Sequence, residues 1–371
     1  VTAILQTQRR NVWKYFDITL LALVSLLTIF GIALIRSATF ESPELADLPF
    51  TQIRWAVIGL IVAFVAAAID YRYWQALSRP LYLFIFAALA WVFVVGEVLH
   101  GAQRWVDFFG LFFIQPSELA KIGAIIWTAE FFSRDRERAR NFKWVIASAV
   151  YSGLQAVLVV LQPDLSTAII IGVTWFAILF AAGLKWQHIA IFITGGLIAF
   201  PLAWSFMQDY QRLRLIHFIN PSLDTGASYN VNQALISIGS GGWFGEGYNH
   251  ASQVTLRFLK VRHTDFIFSS LSAEFGFLGA MLVILLMAVV IIRILRVARM
   301  TPDPFGGLLC YGVAAMLFYQ AFFNIGMNLN LLPVTGLPLP FLSYGGSALI
   351  TFMFAIGLVE SVALRHKIIE Y

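Results

Sequence analysis

The chain has 371 residues, of which 60% are hydrophobic and only 12% charged, and its formal net charge is +5. Soluble domains carry about a quarter charged residues, so this composition excludes a soluble globular protein and puts the chain in a membrane. The single cysteine, Cys310, excludes an internal disulfide and lies in an apolar run, where it packs as a small hydrophobe.

Apolar runs, measured against the roughly 20 residues that cross a bilayer, predict helical spans at 18–36, 53–69, 80–99, 117–133, 143–161, 165–184, 188–207, 266–292, 305–327 and 345–364. The expected fold is an all-α polytopic membrane protein of about ten helices, one domain over 1–371, with a long polar loop at 208–265. The first span lacks the plan of a cleavable signal peptide and is expected to stay as an anchor. No fixed-period repeat or low-complexity tract is visible.

Lysine and arginine set the orientation. With a cytoplasmic amino terminus, the inner segments hold Arg9, Arg10, Lys14, Arg72, Arg79, Arg134, Arg136, Arg138, Arg140, Lys143, Lys185, Arg293, Arg296, Arg299, Arg365 and Lys367. The short outer loops hold only Arg36, Arg54 and Arg104. This asymmetry predicts two cytoplasmic termini and an outer face for 208–265. The net charge therefore reflects topology and does not imply nucleic-acid binding. The alternating charges of Arg134 to Arg140 read as retention charge rather than a partner patch.

The outer segments carry the polar motifs. Gly101-Ala102-Gln103-Arg104-Trp105 leads to Gln115-Pro116-Ser117-Glu118, where Ser117 reads as a helix cap. Lys121 follows Glu118 at i,i+3, which puts both on one face in the outer third of the bilayer. The two form either a self-neutralising pair or the lining of a polar cavity for a charged head group. At Gln162-Pro163-Asp164 an aspartate reaches the amino end of the next helix, as an N-cap and a partner for its dipole.

Within the long loop, Ser240 to Gly247 is dense in glycine and reads as tight turns in preference to a phosphate cradle, since no Gly-Lys-Ser/Thr follows. Arg212 and Arg214 precede it, and Arg257, Lys260 and Arg262 follow. These cations could grip a pyrophosphate, although a solvated loop face would look the same. The loop closes on Arg262-His263-Thr264-Asp265 against apolar Phe266-Ile267-Phe268. A carboxylate at that boundary is costly and marks a candidate site. Further on, Pro333 to Gly346 is rich in helix breakers yet uncharged, and such backbone at membrane depth must be buried in protein or line a cavity.

Gly-Ala-Gln-Arg-Trp at 101–105, Gln-Pro-Ser-Glu-Leu-Ala-Lys at 115–121, Gln-Pro-Asp-Leu at 162–165, Asp-Tyr-Gln-Arg at 209–212, His-Thr-Asp-Phe-Ile-Phe at 263–268 and Pro-Leu-Pro-Phe-Leu-Ser-Tyr-Gly-Gly-Ser at 338–347 resemble, in order, the motifs of the SEDS family. Gln103 before Arg104 resembles the elongation branch more than the division branch. The resemblance implies a peptidoglycan glycosyltransferase of the bacterial plasma membrane. Such an enzyme polymerises lipid II on the outer face, beside a class B penicillin-binding protein and within the elongation machinery, among membrane lipids.

For that reaction one base is expected, and the resemblance gives the role to Asp265, whose partial burial would suit it. A divalent cation held by the same carboxylate is a second expected role. Arg104 and Lys121 are the expected cationic contacts of the leaving diphosphate, Glu118 orients Lys121, and Asp164 holds the cavity's hydrogen bonds. Arg212, Arg262 and His263 complete the candidate set, with the two arginines expected to face solvent.

Two positions depart from the family pattern. Leu259-Lys260-Val261-Arg262 stands where Leu-Pro-Glu is common, and Phe275 replaces one of two adjacent acids, leaving Glu274. Glu274 lies about 14 Å along a helix from Asp265, too far to share a proton, and is expected to be a buried structural acid in need of a partner. Two other classes of reading compete: a lipid II flippase, suited by helix breaks such as Asn324 to Pro340, and a membrane scaffold, which leaves Asp265 without a purpose.

Overall fold

The computed structural model describes residues 12–40, 42–99, 102–108, 112–220, 225–256, 258–259 and 261–366. Helices α1 (Ile18–Thr39), α2 (Leu48–Ala68), α3 (Tyr71–Ala76) and α4 (Ser78–Val95) come first. Strands β1 (Glu97–Leu99), β2 (Ala102–Phe108) and β3 (Phe112–Ile114) follow. The remaining helices are α5 (Pro116–Ser133), α6 (Phe142–Leu161), α7 (Leu165–Ala181), α8 (Trp186–Phe206), α9 (Asp209–Ile219), α10 (Thr225–Ser240), α11 (Ser252–Thr255), α12 (Ile267–Met300), α13 (Pro304–Asn328) and α14 (Gly346–Arg365).

Every segment expected to span the membrane contains a helix. Six are long and apolar enough to cross, and α4, α7 and α8 are shorter apolar helices. Helix α5 is the remaining one; it carries Glu118, Lys121 and Glu130 on a largely buried surface, so its charges are absorbed by the protein and not by lipid. The expected all-α polytopic fold holds, with two additions. The purely helical reading missed an antiparallel meander, β1-β2-β3, before α5. The "loop" 208–265 is largely helical, with α9, α10 and α11 inside it.

The centre of the bundle is α13 and α14, where 67 and 78% of the apolar window is buried, against 28% for α6 and α12. Helices without a hydrophobic drive to associate need close backbone approach, and small residues supply it. On α2 and α14 this is literal: a Cβ on Gly357 would collide with the carbonyl of Ala63 and the methyl of Ala66.

Helix α12 breaks at Gly276, whose φ of 65° and ψ of −164° are not helical. The break frees the carbonyls of Ala273 and Glu274 and the amides of Phe277 and Leu278 from their usual helical partners. The glycine-rich turn after α10 satisfies all four. Glu246 and Gly247 donate to Ala273 and Glu274 at 2.9 and 3.1 Å, and Phe277 and Leu278 donate to Gly242 and Trp243 at 2.8 and 3.2 Å. Contact this close excludes side chains: a Cβ on Gly241 would meet the Ser272 carbonyl, and one on Gly245 the Glu274 carbonyl. The tight-turn reading of this segment therefore holds, and its amides at 245–247 are spent inside the protein.

Candidate active site

Asp265 sits just before α12, partly buried, in a turn closed by the amide of Phe266 donating to Val261 at 3.3 Å. The residue at the cap position, Phe266, has no side-chain oxygen to offer the first turn. Asn328 supplies the cap from another helix: its Oδ1 accepts from the Ser269 amide at 3.1 Å and the Ser269 hydroxyl at 2.6 Å. The same side chain turns its Nδ2 to the Asp265 carbonyl at 3.0 Å. Asn324, one turn earlier on α13, donates to that carbonyl at 3.0 Å and to Leu337 at 2.7 Å. The backbone of Asp265 is thereby fixed by two buried amides whose i,i+4 spacing puts them on one helix face.

The second wall is the non-helical segment between α13 and α14. Tyr344 donates its amide to the His263 carbonyl at 3.0 Å, and the Ser343 hydroxyl donates to the Thr264 carbonyl at 2.8 Å while accepting from the Leu339 amide at 2.9 Å. Gln52 on α2 braces the same segment, donating to the Ser343 carbonyl at 3.3 Å and accepting from Gly345 at 3.2 Å. Gly336, at φ 71°, borders the carboxylate: a Cβ there would lie 3.6 Å from Asp265 Oδ2. The expected break from Asn324 begins later, since α13 runs to Asn328.

His263 packs edge-on against Tyr344 with centroids 6.0 Å apart, and its Nδ1 is buried without a hydrogen-bond partner. Burial first, and the Arg262 charge second, push its pKa down from 6.5 to about 4, so the ring is neutral. Arg262 is not solvent-facing as expected. It is 4% exposed, and donates to the Ala38 carbonyl at 2.5 Å, Ser42 Oγ at 3.0 Å and the Leu259 carbonyl at 3.3 Å. Its guanidinium clamps the turn onto the end of α1. Arg212 likewise spends donors on backbone, at the Trp204 and Ser205 carbonyls that end α8 (3.0 and 2.8 Å).

Asp164 caps α7, as expected, and ties it to the start of α5. Oδ1 accepts from the Thr167 amide at 3.2 Å as the N-cap of α7, and Oδ2 accepts from Gln115 at 3.0 Å and Ser117 at 3.1 Å. Ser117 is thus not the cap of α5; Gln115 holds that position, and Pro116 opens the helix. Two residues past Asp164, the Ser166 hydroxyl donates to the Thr335 carbonyl at 2.5 Å, which ties α7 to the residue beside Gly336. Lys121 and Glu118 form a buried pair with Nζ 2.9 and 2.8 Å from the two carboxylate oxygens, and the ammonium also lies 5.4 Å from the Phe352 ring.

Arg104 lies on β2; its side chain is outside the described residues, as are Gly101, Arg257 and Lys260. Arg214, exposed on α9, reaches the Thr335 carbonyl at 3.4 Å, one residue from the glycine that borders Asp265. The basic flank of the long loop had singled Arg214 out; the places of Asn324, Asn328 and Ser343 at the site were missed in sequence. Two asparagines four apart on an otherwise apolar helix were the available signal. Farther away, Glu274 has found its partner in the Ser37 hydroxyl. Among the described residues, no three His, Cys, Asp or Glu side chains converge as a metal site. Among the described residues Asp265 offers one carboxylate, short of the six or more oxygens that a hard cation takes, so these residues alone do not fit a resident divalent cation.

The arrangement is a carboxylate on a firmly held backbone at the rim of an apolar bundle, faced by a glycine, with cations on neighbouring elements. It suits proton abstraction from a hydroxyl at the edge of the membrane-spanning bundle. Residues 16–368 match the profile of the FtsW, RodA and SpoVE cell cycle proteins. The chain is 36% identical over 366 residues to peptidoglycan glycosyltransferase MrdB of Escherichia coli (strain K12), covering 98% of each. It is 35% identical over 370 residues to a probable peptidoglycan glycosyltransferase FtsW of Geobacter metallireducens, covering 95% of this chain and 96% of that one. Among solved structures it is similar to a chain from a peptidoglycan synthase complex in which polymerization and crosslinking are coordinated (TM-score 0.82), and to the rod shape determining protein RodA of Thermus thermophilus (TM-score 0.71). Each is 30% identical and matches over 95% of this chain and 98% of the other.

Proposed function

Because the chain belongs to the family of FtsW, RodA and SpoVE, we propose that it is a peptidoglycan glycosyltransferase that polymerises lipid II on the outer face of the plasma membrane, with both termini cytoplasmic. One observation carries the reading: the Asp265 backbone is pinned by Asn324 and Asn328 while its carboxylate lies against Gly336, the residue with least bulk. A base that must not move, beside a position kept free of side chain, accounts for both.

The reaction is a single displacement. Asp265 takes the proton of the C4 hydroxyl of an acceptor N-acetylglucosamine as that oxygen attacks C1 of the donor N-acetylmuramic acid. The bond from C1 to the diphosphate breaks, its electrons leave with polyprenyl diphosphate, and the anomeric centre inverts. Arg104 and Arg214 are the cations proposed to receive the leaving charge. Lys121, buried against Glu118 and Phe352, acts at one remove by holding α5 to α14. A divalent cation would arrive with the substrate, drawing most of its oxygens from the diphosphate.

Relatives named as glycosyltransferases favour polymerisation over lipid II flipping. Identities of 36 and 35% hardly divide the elongation and division branches. Gln103 before Arg104 favours elongation and rod-shape maintenance. The similarity to a chain of a synthase complex supports a class B penicillin-binding protein as partner. Purified chain, alone and with that partner, given lipid II in detergent, tests the proposal. Glycan strands that vanish with Asp265→Asn support it; strands of normal length from that variant, or none from the wild type with partner, overturn it.

A further inference from the structure

At the end of α12 remote from Asp265, the segment leading into α1, α12 and the end of α14 line an open cavity of about 320 Å³. Part of its wall is a closed ionic network. Arg293 donates Nε and Nη2 to Asp17 at 2.9 and 2.8 Å, and the Asp17 amide donates to Glu360 at 2.9 Å. Arg293 is thus already neutralised. Lys14 and Arg296 line the same cavity and make no ion pair or hydrogen bond among the described residues. His366 adds a further unmet group: Nδ1 donates to the Ala363 carbonyl, which leaves Nε2 buried without a partner. The remaining wall includes Ile18, Val297 and Met300 and is apolar.

Two uncompensated cations facing an apolar wall describe a ligand with an anionic head and a hydrocarbon shoulder. Positive-inside topology alone would scatter cations over the helix ends; here Lys14 and Arg296, both exposed, line one cavity together with an apolar wall. Free phosphate would satisfy the cations but leave the apolar wall wet. We propose that this cavity binds the phosphate of an anionic phospholipid from the leaflet at that end of the bundle. The site is remote from the polymerising carboxylate, and its test does not depend on glycan synthesis.

The test is lipid retention by the purified full chain. Protein reconstituted in mixed phosphatidylglycerol and phosphatidylcholine, released into mild detergent and weighed by native mass spectrometry, should keep phosphatidylglycerol about tenfold over phosphatidylcholine. Lys14→Gln with Arg296→Gln should erase that preference, while Lys14→Arg with Arg296→Lys should keep it. Neither side chain bonds to another among the described residues, and an unchanged melting temperature checks that the variants are folded. Equal retention of the two lipids by the wild type, or an unchanged preference in the double glutamine variant, overturns the proposal. Displacement of the bound lipid by millimolar inorganic phosphate would assign the site to free phosphate and overturn the lipid reading.

Discussion

The side-chain amide of Asn328 holds the carbonyl of Asp265 at 3.0 Å while its oxygen caps Ser269 at 3.1 Å, so one residue of α13 both starts α12 and aims the residue before it. Asn328→Asp keeps the acceptor for Ser269 but deletes the donor. Steady-state kinetics with lipid II should show kcat lowered by about 10–100-fold with KM little changed, the signature of lost positioning. An unchanged kcat would remove Asn328 from the mechanism.

Replacing Asp265 by Asn should lower polymerisation by about 10²–10⁴-fold, the usual contribution of a general base. Asp265→Glu keeps the charge but moves it by one methylene toward Gly336, and it should retain a fraction of activity between the two. Gel analysis of glycan length across the three proteins orders them. Equal loss in the Glu and Asn variants would show that the base must also sit within one methylene of its native place, while full activity in the Asn variant would remove the base.

Gly276→Ala must strain a backbone at φ 65° and push a methyl into the amides of Phe244 and Gly245. The expected cost is about 2–6 kcal/mol, read as a lowered melting temperature in detergent. Gly239→Ala is the control: it lies in α10 with nothing within 4 Å of a new Cβ, and should stabilise by up to about 1 kcal/mol.

His263 is held neutral in the fold, with its pKa pushed down to about 4 from 6.5. The unfolded chain therefore binds more protons between those values, and stability falls as pH drops from 6.5 toward 4. The loss reaches up to about 3 kcal/mol for a shift of this size. Melting curves of wild type and His263→Gln over this range should diverge, with the variant the flatter of the two.

Arg262→Lys keeps the charge but cannot reach the Ala38 carbonyl, Ser42 and the Leu259 carbonyl together. Loss of charge-assisted bonds at a buried site should cost about 2–4 kcal/mol, visible as proteolytic nicking near residue 260 before global melting. Wild-type resistance to protease in the variant would show that the clamp is dispensable.

Hydrophobic length made the bundle legible: each predicted span coincides with a helix, because twenty apolar residues in lipid have no other way to satisfy their backbone. Asp265 was legible for the same reason, as a charge at a boundary where charge is costly. What holds it was not. Asn324 and Asn328 act across helices on a carbonyl, and nothing in a linear pattern says which backbone a side chain will meet. Arg262 was misread as solvated because its acceptors, Ala38 and Ser42, are more than two hundred residues away in sequence. The meander before α5 was missed because its strands are only three to seven residues long, too short for a period to declare itself.

The glycine turn that patches the break in α12 also bears on how the protein is made. It is synthesised before the helix it completes, so a template for the four stranded backbone groups already exists when α12 is threaded into the bilayer. A translocon need not tolerate an open break in hydrocarbon. The two pieces must meet before that stretch of α12 can rest at membrane depth with its backbone satisfied.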